Sequence, residues 1–412
     1  MGDAGKTNDG KQLESARPKR RKTTPVAAHR RRAPIQGSKM THSIHFGIKA
    51  RSVSFPAIIL LAAVLAAPSG VFSKEPPMDP PAAAQEARRP WKFTRVVLEA
   101  PEAIAAVTHA RCGLVAGGVA EPVARGLSGR VYGFRGRGTQ WRLAPLSPCG
   151  ADAGFRFPDM LPDGEIVEGG GSVRRVWLIG PTTRYGHGIL GDAIEAAGLA
   201  LETRRGRRLE FRLPDDSVFE DRRVRLVRLK PGGPERLLAI RSRLGQGAAL
   251  SLFAVGRDKI TLLAESAPFG RSNRWLNVVG VADFDGDGRR EIAAVLTPHI
   301  GGTLTLYEKK GRRLVAKLRA RGFSNHAIGS RNLDLSALLD ANGDGVTDLA
   351  VPDDSRETLR IVTFAGGRFR ELMAVPNRAE IIAGIVKTAL PPGGRAVLIY
   401  ALENRKVVLL FQ

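Results

Sequence analysis

The sequence of 412 residues predicts an all-β fold, and three observations support this prediction. Its 47 glycines and 26 prolines separate short runs of Val, Ile and Leu, which favours many strands joined by tight turns over long helices. With 43% hydrophobic and 25% charged residues, the chain has the composition of a globular protein. Finally, a pattern of four strands recurs along its second half.

The clearest copy of this pattern runs over residues 277–321. The strand-like run NVVGVADF is followed by the loop DGDGRR and then by the strands EIAAVLT, GTLTLYE and LVAKLRA. The same order recurs over residues 333–375, where Asp340 takes the place of Asp283 at an offset of 57 residues. Two further copies keep the strand pattern but carry Pro- and Gly-rich loops at Lys230–Pro234 and Pro391–Gly394.

Four short antiparallel strands repeated at this interval are typical of the blades of a β-propeller. We expect a propeller of six or seven four-stranded blades over residues 91–412, with earlier blades around Arg175–Pro181 and within Ala103–Cys149. The chain ends on KVVLLFQ, which matches a third blade strand with no fourth strand after it. We expect Trp91–Leu98 to supply that strand and to close the ring, which would remove an exposed sheet edge.

Residues 1–90 are expected to lie outside this fold. The apolar run Phe55–Ala67 is too short to span a bilayer but has the length of a secretory signal core, and Lys49 and Arg51 precede it. We therefore predict that Met40 is the true start and that residues 1–39 are a gene-model extension or a disordered basic tail. Residues 40–73 are predicted to be a signal peptide and residues 74–90 a linker. The mature protein is expected to be periplasmic or secreted, monomeric and not an integral membrane protein.

The net charge of +24 raises nucleic acid as a partner. However, 13 Lys and Arg against three acidic residues lie before Lys74, in the segment that we expect to be removed. The remaining arginines are scattered and lack the aromatic side chains on which single-stranded bases stack, which disfavours nucleic acid. The basic clusters Arg17–Lys22 and Arg30–Arg32 keep open the alternative of a nucleic-acid-binding arm.

The two cysteines, Cys112 and Cys149, would meet an oxidising compartment after export. One disulfide between them and two buried free thiols both remain open, because a sequence does not give the distance between their Cα atoms.

The two acidic loops predict a pair of Ca²⁺ sites. Carboxylates fall at alternate positions, so a tightly curled backbone, which the intervening glycines permit, turns them inward. Hard oxygen ligands suit calcium, whereas an ordinary Asp-Gly turn is the alternative that recurrence of the loop disfavours. The predicted ligands of the first cage are Asp283, Asp285, Asp287, Glu291 and the carbonyl of Arg289. Those of the second cage, with one charge fewer and an expected weaker affinity, are Asp340, Asn342, Asp344, Asp348 and the carbonyl of Val346.

The segments ADFDGDGRREIAAV and LDANGDGVTDLAV resemble the FG-GAP or VCBS-type repeats of the integrin α-chain N-terminal propeller and its bacterial relatives. The resemblance is specific over residues 224–412. It implies calcium, mainly structural, in the loop between the first and second strands of a blade. The loops Lys230–Pro234 and Pro391–Gly394 depart from the family pattern and lack these ligands.

Beyond the metal loops, the sequence contains no G-x-S-x-G or H-E-x-x-H frame and nominates no catalytic residue. We expect a non-enzymatic binding or scaffold protein whose basic surface meets another protein or an acidic polysaccharide. A propeller hydrolase or lyase acting on glycans or phosphate esters is the alternative. We place the loop Thr182–Gly191 at the position of the acidic loop in its blade. The residues nominated for a partner-facing surface are Tyr185, His187, Arg274, Trp275 and His326, because binding residues often lie on such loops.

Overall fold

The structure, a computed structural model, describes residues 93–110, 120–146, 156–390 and 395–412. Cys112, Cys149, Pro391–Gly394 and residues 1–92 lie outside this part of the chain, so the disulfide, the signal peptide and the linker stay predictions. The described part is all-β, as predicted, with antiparallel strands and a single short 3-10 turn at Ala365–Gly367. None of its helical segments is long and apolar enough to cross a membrane.

The strands are numbered β1 to β25 in chain order, and most of them form groups of four. The first half of the chain contains β1 (Thr94–Glu99), β2 (Ile104–Ala110), β3 (Glu121–Gly126), β4 (Val131–Arg137), β5 (Gln140–Pro145), β6 (Val167–Glu168), β7 (Val173–Thr182), β8 (Glu195–Thr203) and β9 (Arg208–Arg212). It continues with β10 (Ser217–Phe219), β11 (Arg225–Val227), β12 (Arg236–Arg243), β13 (Gly247–Val255) and β14 (Ile260–Ser266). The second half contains β15 (Leu276–Ala282), β16 (Glu291–Leu296), β17 (Thr303–Lys310), β18 (Arg313–Arg321), β19 (Ala337–Leu339), β20 (Asp348–Pro352), β21 (Thr358–Thr363), β22 (Arg370–Pro376), β23 (Ile381–Leu390), β24 (Arg395–Leu402) and β25 (Lys406–Phe411).

Six four-stranded antiparallel groups can be followed within the described residues. Three of them are separate sheets, with the orders β2-β3-β4-β5, β19-β20-β21-β22 and β1-β25-β24-β23. The other three, β6–β9, β11–β14 and β15–β18, belong to one larger sheet. They are joined there only by β10, which bridges β8 and β12, and by a short parallel contact between β14 and β18. Each group therefore keeps its own four-stranded pairing.

β1 supplies the strand that was predicted to pair with the C-terminal strand, with the bounds Thr94–Glu99 in place of Trp91–Leu98. β1 runs antiparallel to β25 from the pair Thr94 and Phe411 to the pair Glu99 and Lys406. Val96 and Leu98 of β1 are buried, whereas the alternate residue Val97 is exposed, as the two-residue period of a strand requires. The first strand of the described chain thus completes the last group.

The core lies between successive groups, because the inner strands of the groups are buried on both faces. On β16, Ile292 and Ala294 pack into an apolar cluster with residues of β12 and β13. The alternate residues Ala293 and Val295 pack into a different cluster, which they share with β20 and β21. One strand thereby contributes to two cores, and removal of either neighbouring group would expose apolar surface.

Candidate metal centre and the loop surface at the opposite end

The two acidic loops occupy equivalent places in adjacent groups. Asp283–Arg290 joins β15 to β16, and Asp340–Thr347 joins β19 to β20. Both loops connect the first and second strands of their group, as the sequence predicts. Gly288 and Gly345 have the same positive φ of 82° in the two loops, a conformation that residues with a side chain rarely adopt.

In the first loop, carboxylates fold inward onto backbone amides. Asp283 accepts hydrogen bonds from the N–H groups of Gly286 and Gly288, both at 2.8 Å. Glu291, which is fully buried, accepts one from the N–H of Phe284 at 3.2 Å. Burial raises the pKa of Glu291, and the hydrogen bond from Phe284 opposes that rise. These short-range bonds fix the curl that the glycines permit.

The second loop repeats this hydrogen-bonding scheme. Asp340 accepts from the N–H groups of Asp344 at 3.1 Å and Gly345 at 3.0 Å. Asp348 Oδ2 accepts from the N–H of Ala341 at 2.8 Å, as Glu291 does from the residue at the same position. The other oxygen, Asp348 Oδ1, is buried without a close hydrogen-bond partner, and burial raises the pKa of Asp348, although the nearby Thr363 side chain opposes that rise. A buried acceptor of this kind is costly unless it gains a partner.

In each loop, the backbone N–H of the residue at the seventh position donates a hydrogen bond to the carboxylate two residues before it. The N–H of Arg289 donates to Asp287 Oδ1 at 2.8 Å, and the N–H of Val346 donates to Asp344 Oδ1 at 2.9 Å. The carbonyl oxygens of Arg289 and Val346 remain predicted ligands.

The carboxylates converge in only one of the two loops. Asp283, Asp285 and Asp287 each place an oxygen within 4.8 Å of the others, and no other such trio of potential metal ligands occurs among the described residues. In the second loop, Asn342 Nδ2 donates to Asp344 Oδ2 at 2.8 Å and so uses an oxygen that a metal would need. The structure therefore supports the first predicted site more strongly than the second.

Two of these converging carboxylates, Asp285 and Asp287, contact an ammonium group together with Glu291. Lys317 Nζ lies 2.5 Å from Asp285 Oδ2, 2.7 Å from Asp287 Oδ2 and 3.3 Å from Glu291 Oε1. Burial alone would lower the pKa of Lys317, but the hydrogen bonds to these three carboxylates outweigh it and raise that pKa. A cation thus already occupies the position toward which the carboxylates point.

Sequence reasoning missed Lys317 because a β-bulge directs its side chain. The pairing of β18 with β17 passes from Leu318 directly to Ala316, so Lys317 is the extra, unpaired residue. At the corresponding bulge between β22 and β21 the extra residue is Leu372. The second loop therefore has no equivalent lysine on the matching strand.

Both metal loops are hydrogen-bonded to elements outside their own hairpins. The carbonyl of Asp285 accepts from the N–H of Gly366, which follows β21 in the next group, at 3.0 Å. The carbonyl of Asp340 accepts from Gln412 Nε2, after β25, at 2.8 Å. The two loops therefore lie at contacts between successive four-stranded groups.

The residues nominated for a partner-facing surface come together at the other end of the strands. Trp275 and His326 have ring centroids 4.8 Å apart, and Tyr185 and His187 have centroids 6.1 Å apart. The hydroxyl of Tyr185 accepts a hydrogen bond of 3.0 Å from the N–H of Asn273. Burial is the main cause that raises the pKa of Tyr185.

Arg274 and His187 line one recess of about 120 Å³, together with Trp275 and His299. His299 was not among the residues nominated for this surface. We refer to this cavity below as the recess.

The position assigned to the loop Thr182–Gly191 was wrong. It joins β7 to β8, which are the second and third strands of their group, because the two-residue strand β6 precedes them. Second-to-third connections and the connections that enter a first strand leave a sheet at the same end, opposite to the metal loops. This geometry explains why His187 meets Trp275 and His299. A strand as short as Val167–Glu168 gives almost no sequence signal.

His299, which lines the recess, is hydrogen-bonded to His326 behind it. His326 Nε2 lies 2.8 Å from the carbonyl of Ser330, so this nitrogen carries the proton and donates it. His326 Nδ1 then accepts from His299 Nε2 at 2.9 Å. Burial lowers the pKa of His326 to about 3 and that of His299 to about 4. Both rings are therefore neutral at physiological pH.

A buried carboxylate holds His187, which lines the recess. The Glu220 side chain, which is 1% exposed, is hydrogen-bonded to His187 Nδ1 and accepts a second hydrogen bond from the hydroxyl of Ser242. Burial raises the pKa of Glu220, although the contact with His187 opposes this rise. The carbonyl of Glu220 accepts from Trp275 Nε1 at 2.9 Å. Sequence reasoning missed Glu220, which lies 33 residues from His187 in an unremarkable acidic run.

In comparisons with known proteins, no family model matches this chain and no curated protein matches it either. The resemblance of the two acidic loops to FG-GAP repeats therefore rests on the residues of those loops alone.

Proposed function

We propose that the chain is an exported, calcium-binding β-propeller of the FG-GAP or VCBS type, with a non-enzymatic binding or scaffold role. The six four-stranded groups would be its blades, which agrees with the lower of the two predicted blade numbers. The apolar clusters between successive groups and the pairing of β1 with β25 support this arrangement.

The observation that carries the proposal is the position of the Lys317 ammonium among Asp285, Asp287 and Glu291. These oxygens already accommodate a cation, and an oxygen-only donor set is the one that calcium prefers. Asp283 and the carbonyl of Arg289 would complete the first site. In the second loop, the unpartnered Oδ1 of Asp348 is the oxygen that gains most from a metal.

Calcium at these positions would act mainly as a brace. A loop with four acidic ligands repels itself, and a divalent cation would neutralise and stiffen it. Because the loop backbones bond to Gly366 and Gln412 outside their own hairpins, a stiffer loop would also hold neighbouring groups together. We therefore assign calcium to stability and the loop surface at the other end to binding.

Thermal melting during a calcium titration tests this function. The wild type is expected to melt at higher temperature as calcium is added, because binding to the folded state stabilises it by about 2.7 kcal/mol at a hundred times Kd. Asp285→Ala should lose most of this shift. Asp354→Ala, which removes an exposed carboxylate outside the loops, is the matched control and should keep it. A melting curve that does not respond to calcium in any of these proteins would refute the proposal.

A glycan or phosphate-ester hydrolase or lyase is the second candidate, favoured by the contact of His187 with buried Glu220 in the recess. A histidine held by a carboxylate can transfer protons. Among the described residues, however, no hydroxyl or thiol is hydrogen-bonded to His187, so a nucleophile is not indicated. A panel of glycans and phosphate esters, with and without Ca²⁺, tests this candidate. Turnover that disappears in His187→Gln would place the enzyme first.

Export is tested separately by mapping the mature N-terminus in the native host. A chain that begins after residue 73 is expected. A mature chain that retains Arg17–Lys22 would contradict export and favour the nucleic-acid-binding arm.

A further inference from the structure

We propose that a hollow beside the recess binds a carboxylate-bearing polysaccharide through Arg271, Arg274 and Arg319. The hollow has a volume of about 330 Å³, and we call it the arginine hollow. This proposal rests on the binding role proposed above and names the class of ligand. It concerns the end of the strands opposite to the metal loops.

Uncompensated positive charge is the first argument. The arginine hollow is lined by the three arginines and by uncharged residues such as Phe269 and Thr303, without a carboxylate. None of the three guanidinium groups forms an ion pair within the described part of the chain.

Neighbouring arginines behave differently. Arg241 lies 3.5 Å from Glu265, and Arg243 pairs with the same carboxylate. Arginines of the preceding group thus share a carboxylate, whereas the three arginines of the hollow have none.

The guanidinium group indicates the chemistry of the ligand. Three like charges around one hollow repel each other, and an anion relieves that repulsion. The planar fork of each arginine also matches a carboxylate through two parallel hydrogen bonds. Arg271 and Arg319 are exposed and Arg274 is half-buried, so all three can reach a ligand without a change of fold.

The adjoining recess indicates a sugar chain as the carrier of these anionic groups. The arginine hollow and the recess share Arg274 and Thr297, so together they form one elongated surface. The recess offers polar atoms on Asn273 and His299 beside the exposed apolar side chain of Ile300. A sugar ring presents hydroxyl groups at its edge and C–H groups on its faces, and it can use both kinds of contact.

Nucleic acid fits this surface less well. Binding of single strands depends on exposed aromatic side chains that stack on successive bases. Trp275 is only 2% exposed and is held by its hydrogen bond to Glu220, so it offers no free ring face for stacking. A glycan whose carboxylates recur along the chain is therefore the class that we assign.

The experiment measures binding of an oligogalacturonate to the full chain by isothermal titration calorimetry. The wild type is expected to bind the oligogalacturonate, with an affinity that falls as salt is added. It is expected not to bind a neutral dextran oligosaccharide of the same length. The triple variant Arg271→Gln, Arg274→Gln, Arg319→Gln should bind at least about tenfold more weakly, since charge-assisted hydrogen bonds are lost. The control variant carries the same charge change at exposed positions outside the hollow, Arg205→Gln, Arg257→Gln and Arg313→Gln.

Three outcomes would overturn the proposal. One is that the wild type does not bind the oligogalacturonate. Another is that the control variant loses as much affinity as the hollow variant, which would reduce the effect to net charge. The third is tighter binding of a polythymidylate of equal charge, which would assign the surface to nucleic acid. Calcium-dependent melting is recorded on the same samples, so a failure of the calcium function is seen separately from a failure of glycan binding.

Discussion

Replacing Lys317 with leucine is expected to raise the affinity of the first cage for calcium. Leucine is the residue that the chain itself places at the corresponding bulge of the next group, as Leu372, so the fold accommodates it. In the wild type, calcium would have to displace the Lys317 ammonium. The ammonium would then lose its contacts with the carboxylates, which opposes calcium binding. In Lys317→Leu the carboxylates are free, and calcium binds without this competition.

The size of the effect follows from burial. Lys317 has contacts of 2.5 Å with Asp285 and 3.3 Å with Glu291, whose side chains are 4% and 0% exposed. The contact with Asp287, which is 39% exposed, contributes little. Two unit charges at 4 Å attract by about 4 kcal/mol at an effective dielectric constant of 20. Because Lys317 is itself 25% exposed, we discount this to about 2 kcal/mol, or about thirtyfold in affinity.

The assay is isothermal titration of calcium into chelator-treated protein, combined with thermal melting. Lys317→Leu should bind calcium more tightly than the wild type. Without calcium it should melt about 5 °C lower, since the uncompensated carboxylates repel each other. Lys259→Leu, at an exposed site outside both cages, is the control and should change neither quantity. Equal calcium affinities for Lys317→Leu and the wild type would refute the view that the ammonium and calcium compete.

Three other predictions concern the fold and its loops. Deleting Thr94–Glu99 should lower the melting temperature sharply, because the deletion removes a whole strand of the last group and exposes the edge of β25. An unchanged melting temperature would contradict a stabilising role of this pairing. Gly288→Ala should weaken calcium binding and stability by about 1–2 kcal/mol, since its φ of 82° is strained for alanine, whereas the equally exposed Gly170→Ala should change little. The pKa of His326 is about 3 in the folded protein and about 6.5 in the unfolded chain. Between these two pH values the unfolded chain binds more protons than the folded protein. The free energy of unfolding therefore falls as the pH drops from about 6.5 to about 3. Urea denaturation from pH 7 to 4 should accordingly show a flatter pH dependence for His326→Gln, and an equal slope would contradict it.

The parts of the molecule that could be predicted from sequence depend on short-range signals. In each acidic loop the carboxylates bond to amides no more than seven positions away, so spacing alone is informative. The strands of the repeats were visible for the same reason. The fourth strand of the last group lies far from it in the sequence. The count of strands in a blade was nevertheless enough to predict that a strand near the start of the fold pairs with β25.

The parts that could not be predicted depend on contacts between elements far apart in the chain. Lys317 approaches Glu291 across 26 positions and only because a bulge shifts the pairing by one residue, which no alternation pattern records. Glu220 reaches His187 across 33 positions, with three strands between them in the chain. Similarly, the second cage has the right residue types, yet the amide of Asn342 takes up an oxygen of Asp344, a detail that depends on side-chain orientation.

The positions of the two sites on β15 limit how calcium can influence binding. This strand begins at Leu276, directly after Trp275 of the recess, and ends at Ala282, directly before Asp283 of the first cage. Seven extended residues span about 20 Å, which is roughly twice the distance over which charges are screened in physiological salt. Calcium in the first cage would therefore not act on a ligand in the recess through its charge. Any influence would pass through the packing of β15 between its neighbours, and the contacts of Lys317 with the carboxylates would supply part of that bracing without calcium.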